Sequence, residues 1–506
     1  MKTSFLLLFL FNTGLLVCQT RYVRIIDFDN TPQTVEQIVE YGGYYYLSYT
    51  QSCQDAVVNW TDICGGVLKI DEYGHIIDSN RIKSFSDNLN SIVINSKEKK
   101  IYLTGEPYTA DYVHKFQVNE FPINNLTSVA KTFYKFPSED QINYFQKGSI
   151  LNNDNLIIVG SSRSIENNDI RTILFDIKEG IPDTSFILDL GLGTLTWELY
   201  ADKDGLITLH VVIMNTGQSD RSAIIKYDKS YKVKWQWTAE NPNGLQLPYG
   251  CELKDGRIIM AMHTPGYSNT GSVWCINPDS TISWKFEFPE KSGMISRKFF
   301  RLKQLKNGDI VGVGHYGNRK LNLEKEISRV PFIFRISKEG QFLWEKAFYN
   351  VPPVIDYSIG VFLDVEEIEN GDLLCVGSIR NYLVNDPVTN GERVDDDILI
   401  IRTDADGCVD DRCDTVTRID TLASTAYSPP GTQDVLLYPN PSDGTMYIGG
   451  HESVISLEVY DLQGRRIHRL KDPGSRVDLT FLAGMYVVRL YFKNGRVSHQ
   501  KIVINH

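Results

Sequence analysis

From Tyr22 to Cys408 the chain is a succession of short apolar stretches with two-residue alternation, each bounded by Gly, Asp, Asn or Lys. No long helical period interrupts them. Such alternation predicts strands joined by tight turns. One phrase recurs: a polar turn, an apolar strand reaching a small residue, then polar positions. It reads KNGDIVGVGHYG from Lys306, ENGDLLCVGSIR from Glu369, NDNLIIVGSSR from Asn153, KDGRIIMAMHT from Lys254 and KDGLITLHVV from Lys203. Weaker copies are KKIYLTGEP from Lys99 and GGYYYLSYT from Gly42. Alignment sets Ser48, Gly105, Gly160, Val211, Met262, Gly314 and Gly377 at one equivalent position, at intervals of 51 to 63 residues.

A strand precedes each phrase, and two follow it. The last of these often carries Trp, as in QFLWEKAF (Gln341–Phe348), TISWKFEF (Thr281–Phe288) and KVKWQWTA (Lys232–Ala239). Four-stranded units repeating at this period predict an all-β fold, a seven-bladed β-propeller over residues 20–408. The tryptophans are read as packing between blades. The last copy lacks a Trp-type closing strand, and the N-terminal YVRIIDF has no unit of its own. It is expected to close the last blade, removing two exposed sheet edges. Phrases such as NGDIVGVG with a downstream GQFLW resemble the quinoprotein-like and delta-60-like bacterial propellers, a resemblance that implies fold and not activity.

The style of the chain changes after Cys408. Residues 409–435 are polar, hold Pro429-Pro430-Gly431 and read as a linker. Residues 436–506 then alternate again: LYPNPSDGTMYI, LEVYDLQGRRI, DLTFLAGMYVVRLY and NGRVSHQKIVI. Tyr438-Pro439-Asn440-Pro441 fixes the entry strand through proline φ angles. Tyr460 and Asp461 lead a hairpin turn ending at Gly464, while Gly484, Tyr486 and Lys501 lie in the closing strands. These strings resemble the type A sorting domain of type IX secretion cargo, a system of the Bacteroidota. The resemblance implies a small Ig-like β-sandwich, contact with the type IX machinery, and a secreted or cell-surface protein.

The N-terminal MKTSFLLLFLFNTGLLVCQT fits that route. A lysine followed by a broken apolar run reads as a signal peptide over residues 1–19. No later segment is apolar enough to span a bilayer. A net charge of −11 argues against nucleic acid and against an anionic membrane surface. The sequence spacing suggests disulfides Cys53/Cys64 and Cys408/Cys413, with Cys251/Cys275 as a third and Cys375 as a buried free thiol. No CxxC pair, HExxH, GxSxG or P-loop occurs, so no metal or cofactor is expected. Asp404-Ala405-Asp406-Gly407 reads as a plain turn and not a calcium loop.

The residues following the aligned small position are Tyr49, Glu106, Ser161, Val212, His263, His315 and Ser378. In a propeller they would ring one end of the central channel, with Glu106, His263 and His315 as its polar centre. Beside a structural filler of the cell surface with no specific ligand, two functional readings stay open. One is a noncatalytic scaffold for an extracellular protein or glycan. The other is an extracellular hydrolase or lyase with its site in the channel.

Overall fold

A computed structural model describes residues 21–27, 33–52, 63–107, 115–127, 130–135, 141–152, 155–164, 170–178, 181–188, 193–201, 207–214, 221–239, 249–263, 271–289, 294–318, 328–351, 360–386, 391–409, 413, 416–420, 425–426, 437–438, 444–448, 454–461, 465–479, 484–493 and 497–504. The leader, Cys53, Pro439, Asn440, Pro441 and Gly464 lie outside this set. Every regular element among the described residues is a strand.

Each recurring phrase is the second strand of an antiparallel set, as in the order Tyr249–Glu252, Ile258–His263, Gly271–Ile276, Ile282–Glu287. Six sheets hold the repeats, because the long strand Ile76–Asn95 serves two sets at once. The repeats are called units 1 to 7, over residues 33–82, 91–135, 141–188, 193–238, 249–287, 294–351 and 360–403. The N-terminal strand Tyr22–Asp27 pairs antiparallel with Gly391–Thr403 of unit 7, with Tyr22 opposite Arg402. Past Cys408 the chain adds two parallel edge strands. Val416–Asp420 runs along Phe342–Val351, and Thr425–Ala426 runs along Tyr22–Asp27.

Both faces of each set are apolar, so each must be covered twice. Seven apolar clusters among the described residues do this, each joining one unit to the next. Phe288, just past the last strand of unit 5, meets Phe299, Phe332 and Phe334 of unit 6. Phe348 of unit 6 meets Phe362 of unit 7, and Val376 and Ile400 of unit 7 meet Val35 and Leu47 of unit 1. Tyr46 then packs with Ile101, Tyr102 with Phe175, Val159 with Ala223, and Ile224 with Met260. Each fully buried ring contributes on the order of 2 kcal/mol.

One aromatic recurs at these junctions. A Cβ on Gly340 would lie 2.6 Å from Trp284, one on Gly407 2.7 Å from Trp344, and one on Gly74 2.7 Å from Tyr22. All three glycines sit in turns at positive φ. Trp284, Trp344 and Tyr22 occupy equivalent registers, opposite Cys275, Arg335 and Arg402. Tyr22 thus supplies the aromatic that the last copy lacks.

The small residue of the phrase has an equally direct cause. The first strands of units 6 and 7 bulge between Phe299 and Arg301 and between Phe362 and Asp364. The bulge swings a carbonyl over the second strand. A Cβ on Gly314 would lie 1.9 Å from the Lys298 oxygen, and one on Gly377 1.9 Å from the Val361 oxygen.

The cysteines follow the sequence reading in part. Cys408 and Cys413 form a disulfide, and Cys64 is disulfide-bonded. Cys375 is a buried free thiol whose pKa burial raises. Cys251 and Cys275 correct the expected third bridge, since both are free. Ile259 stands between them, paired with each. Two strand spacings of about 4.8 Å exceed the reach of a disulfide.

Residues 437–504 make two further sheets around one core. Leu437–Tyr438, Thr445–Ile448 and Arg476–Asp478 form one. Arg466–Lys471, Val454–Tyr460, Gly484–Phe492 and Val497–Ile504 form the other, in that order. Met446, Ile448 and Val477 of the first pack on Leu457, Val459, Val488, Leu490 and Ile502 of the second.

Replacing Gly377 with Ala should cost about 1–3 kcal/mol, because the Val361 carbonyl must be displaced. Thermal unfolding of the full chain checks this, and an unchanged midpoint would rule out the close approach.

Candidate functional site

Tight turns close one end of the strand sets. At the other end second strands pass to third through residues 53–62, 108–114, 165–169, 215–220, 264–270, 319–327 and 387–390, outside the described set. The candidate rim residues belong to this second end. Glu106, Ser161 and His263 lie on second strands, and their side chains fall outside the described ones.

His315 is buried, opposite Lys298 and Pro331, with its ring 5.4 Å from that of the bulged Phe300. Ser378 is half-buried, opposite Val361 and Ile398. A Cβ on Gly360 would lie 3.1 Å from Pro331 and 3.5 Å from the Ser378 oxygen. The backbones carrying His315's partner and Ser378 therefore meet there.

Tyr49 belongs to the core instead. Its hydroxyl donates to the Asn80 carbonyl at 3.1 Å, and its ring lies against Gly66. Tyr45 pairs with Ile70 as Ile310 pairs with Ile336, so Thr50 stands level with His315. The shorter turn at Gly42-Gly43 displaced the sequence alignment by one residue, and one residue reverses the face.

Beside the bulges runs a polar seam that joins first strands. Asp364 is fully buried. Its Oδ2 accepts the Ile38 N–H of unit 1 at 3.0 Å, and its Oδ1 accepts the Val365 N–H at 2.8 Å. Arg301 and Lys303 of unit 6 face Oδ1 at 3.3 and 3.4 Å, and Lys303 reaches Glu366 at 2.6 Å. One step on, the Gln37 Oε1 accepts the Ile92 N–H of unit 2 at 3.0 Å. Gln37 and Asp364 occupy equivalent registers, opposite Ser48 and Val376. These carboxylates are held by fixed donors, and a charge buried this deeply needs them.

A second buried pair sits between units 5 and 6. Arg297 Nη2 donates to Glu345 at 3.0 Å, both nearly excluded from solvent. The guanidinium lies over Phe288, Tyr316 and Phe332, and burial lowers its pKa.

At the tight-turn end arginines fasten units 5, 6 and 7 to the next turn. Arg335 pairs with Asp309 and donates to the Ala405 carbonyl at 2.7 Å. Arg402 pairs with Asp372 and donates to the Glu72 carbonyl at 2.7 Å. In unit 5 the cation has moved into the turn, where Arg257 pairs with Asp255 and donates to the Lys338 carbonyl at 3.3 Å. The copies FIFRIS and LIIRTD carry the arginines in register, a signal that strand phrases alone did not raise.

The four-stranded sheet of residues 454–504 carries a further polar centre. Glu458 is buried on its outer face. Its Oε2 accepts the Tyr460 and Tyr491 hydroxyls at 2.6 and 2.9 Å, and its Oε1 accepts Arg466 Nη1 at 2.8 Å. Arg469 lies 3.4 Å from the same Oε1. The Tyr460 hydroxyl, followed by Tyr491 and Arg466, draws the Glu458 pKa down to about 2. Arg489 stands over the Tyr460 ring at 5.1 Å. Asp461 accepts the Arg465 N–H and pairs with its guanidinium, which closes the hairpin turn. Tyr486 packs half-buried against the core near Gly484. Tyr438 and Lys501 lie in paired strands, and their side chains fall outside the described ones.

Asp404 Oδ1 accepts the Asp406 and Cys408 N–H groups, which makes its segment a turn. Among the described residues no three metal-binding side chains gather, and no helix is long and apolar enough to cross a membrane.

Residues 436–505 match the secretion system C-terminal sorting domain. That match implies export by the type IX system, contact with its machinery, and a secreted or cell-surface destination. No curated protein matches the chain. Similar solved structures include a protein of unknown function from Dyadobacter fermentans, at 11% identity and TM-score 0.40, covering 75% of this chain and 98% of that one. A thermostable family-43 glycoside hydrolase aligns at 13% identity and TM-score 0.31, over 48% of this chain and 89% of that one. The subtype N11 neuraminidase-like protein of a flat-faced bat influenza A virus aligns at 8% identity and TM-score 0.36, over 62% and 87%. Likeness at this level carries no activity across.

Because its folded pKa lies below the ordinary 4.5, ionised Glu458 stabilises the C-terminal sheets above about pH 4.5. That contribution fades as pH falls toward about 2. Glu458→Gln should therefore lower the unfolding midpoint near neutral pH, with the gap to the parent chain shrinking on acidification. A gap constant with pH would rule out the carboxylate's charge as its source.

Proposed function

We propose that the seven units close into a seven-bladed propeller that binds an extracellular protein or glycan without turning it over. In this reading an Ig-like sorting sandwich over residues 436–506 delivers it, after removal of a leader over residues 1–19, with residues 409–435 as the connection. Closure is supported by apolar clusters that run from each unit to the next and from unit 7 back to unit 1. It is supported again by Tyr22 standing where Trp284 and Trp344 stand.

The observation that carries the binding role is the commitment of the buried carboxylates Asp364 and Glu345. Asp364 is tied to backbone N–H groups of units 7 and 1 and faces two cations of unit 6, and Glu345 is tied to Arg297. Such groups hold sheets together and are poorly free to exchange protons with a substrate. The ligand-facing set is then the strand positions Thr50, Glu106, Ser161, His263, His315 and Ser378, one from each of six units.

Two measurements test the reading. A chain lacking residues 436–506 should accumulate in the periplasm of a type IX-competent host; its appearance outside the cell would sink the export route. Purified full chain should be retained on immobilised extracellular polysaccharides or surface proteins, releasing no reducing ends, and the double substitution Glu106→Ala/His263→Ala should weaken retention. Release of sugar or cleavage of the immobilised polymer would favour the hydrolase or lyase instead.

A further inference from the structure

The C-terminal module is oppositely charged to the rest of the chain. From Leu436 to His506 there are nine Lys/Arg against six Asp/Glu; residues 1–435 hold 43 against 57. Four described cations of this module share one face of the four-stranded sheet. Arg466, Arg469 and Arg489 surround Glu458, and Lys471 lies opposite Ser456 in the next row of the same face. Arg466 and Arg469 remain half-exposed although both are drawn to Glu458, which is itself buried. One carboxylate thus orients cations that outnumber it, leaving guanidinium edges for an outside partner.

Apolar surface lies beside them. Two β-bulges fall in these strands, one at Ile455 and one at Ile467. Both isoleucines are exposed, at 42% and 39%. Aliphatic side chains next to oriented arginines suit a protein surface, with an apolar centre and a charged rim, better than a polyanionic glycan. The position is also open. Arg466–Lys471 is one edge of the sheet, while the opposite edge, Val497–Ile504, lies beside Thr425–Ala426.

We infer that the Arg466–Arg469–Arg489 face with Ile455 and Ile467 docks onto an acidic, partly apolar protein surface of the export machinery. The inference rests on the type IX export reading and names the surface it uses. Like charges set against such a partner would repel it.

The test compares full-length chains in a type IX-competent host. The double variant Arg466→Glu/Arg469→Glu should lower the exported fraction about tenfold or more, leaving folded protein in the periplasm. Ile455→Ser/Ile467→Ser should also reduce export. Trypsin resistance and thermal unfolding report whether the sheet is intact. Should charge reversal unfold it, Arg466→Gln/Arg469→Gln decides: reduced export supports the docking face, and undiminished export overturns it. Export of the intact reversed chain at the parent level likewise overturns it. That result leaves the export reading standing, provided the chain lacking residues 436–506 stays inside. Escape of the truncated chain removes the export reading itself.

Discussion

The structure depends on one constraint: each strand set is apolar on both faces and cannot stand without a neighbour on either side. The clusters that meet this demand draw on adjacent units, and one of them joins units 7 and 1. Tyr22–Asp27 is what makes the last junction resemble the others. It brings an aromatic onto Gly74, and across from that aromatic Arg402 reaches the turn of unit 1. Arg335 and Trp344 do the same for the junction before it, and Arg257 with Trp284 for the one before that. Packing supplies the bulk of the energy at each step, while the guanidiniums donate to turn carbonyls of the next unit.

The same packing governs the chemistry available beside the bulges. Bulged first strands press carbonyls onto the second strands, which admits only glycine at Gly314 and Gly377. The polar residues next to the bulges are then close enough to reach the following unit. Asp364 and Gln37 each accept a backbone N–H across a junction. A carboxylate placed this way stabilises the assembly by being held immobile between units. That is the opposite of what proton transfer asks of it.

The C-terminal module is built on a different balance. Its two sheets share a core of their own, and its outer face gathers half-exposed Arg466 and Arg469 around Glu458. An acidic body joined to a basic module gives one chain two surfaces of opposite attraction. The module can therefore meet an acidic partner that the body would repel.

The strands, their turns and the sorting module were legible in the sequence because period-two alternation and turn residues act locally. The recurrence of one phrase identified the second strand of every unit, and the missing Trp pointed to Tyr22–Asp27. What escaped were relations between strands. The Tyr49 alignment slipped by one because a shorter turn at Gly42-Gly43 is invisible without the pairing of Tyr45 with Ile70. Cys251 and Cys275 looked like a bridge along the chain, yet a whole strand lies between them. Asp364, Arg297 and Glu458 have no local motif, since each also needs a partner on another strand or another unit. Local alternation determined which residues form strands. Only the tertiary structure decided which polar groups became buried and paired, because burial depends on neighbours that the sequence sets far apart.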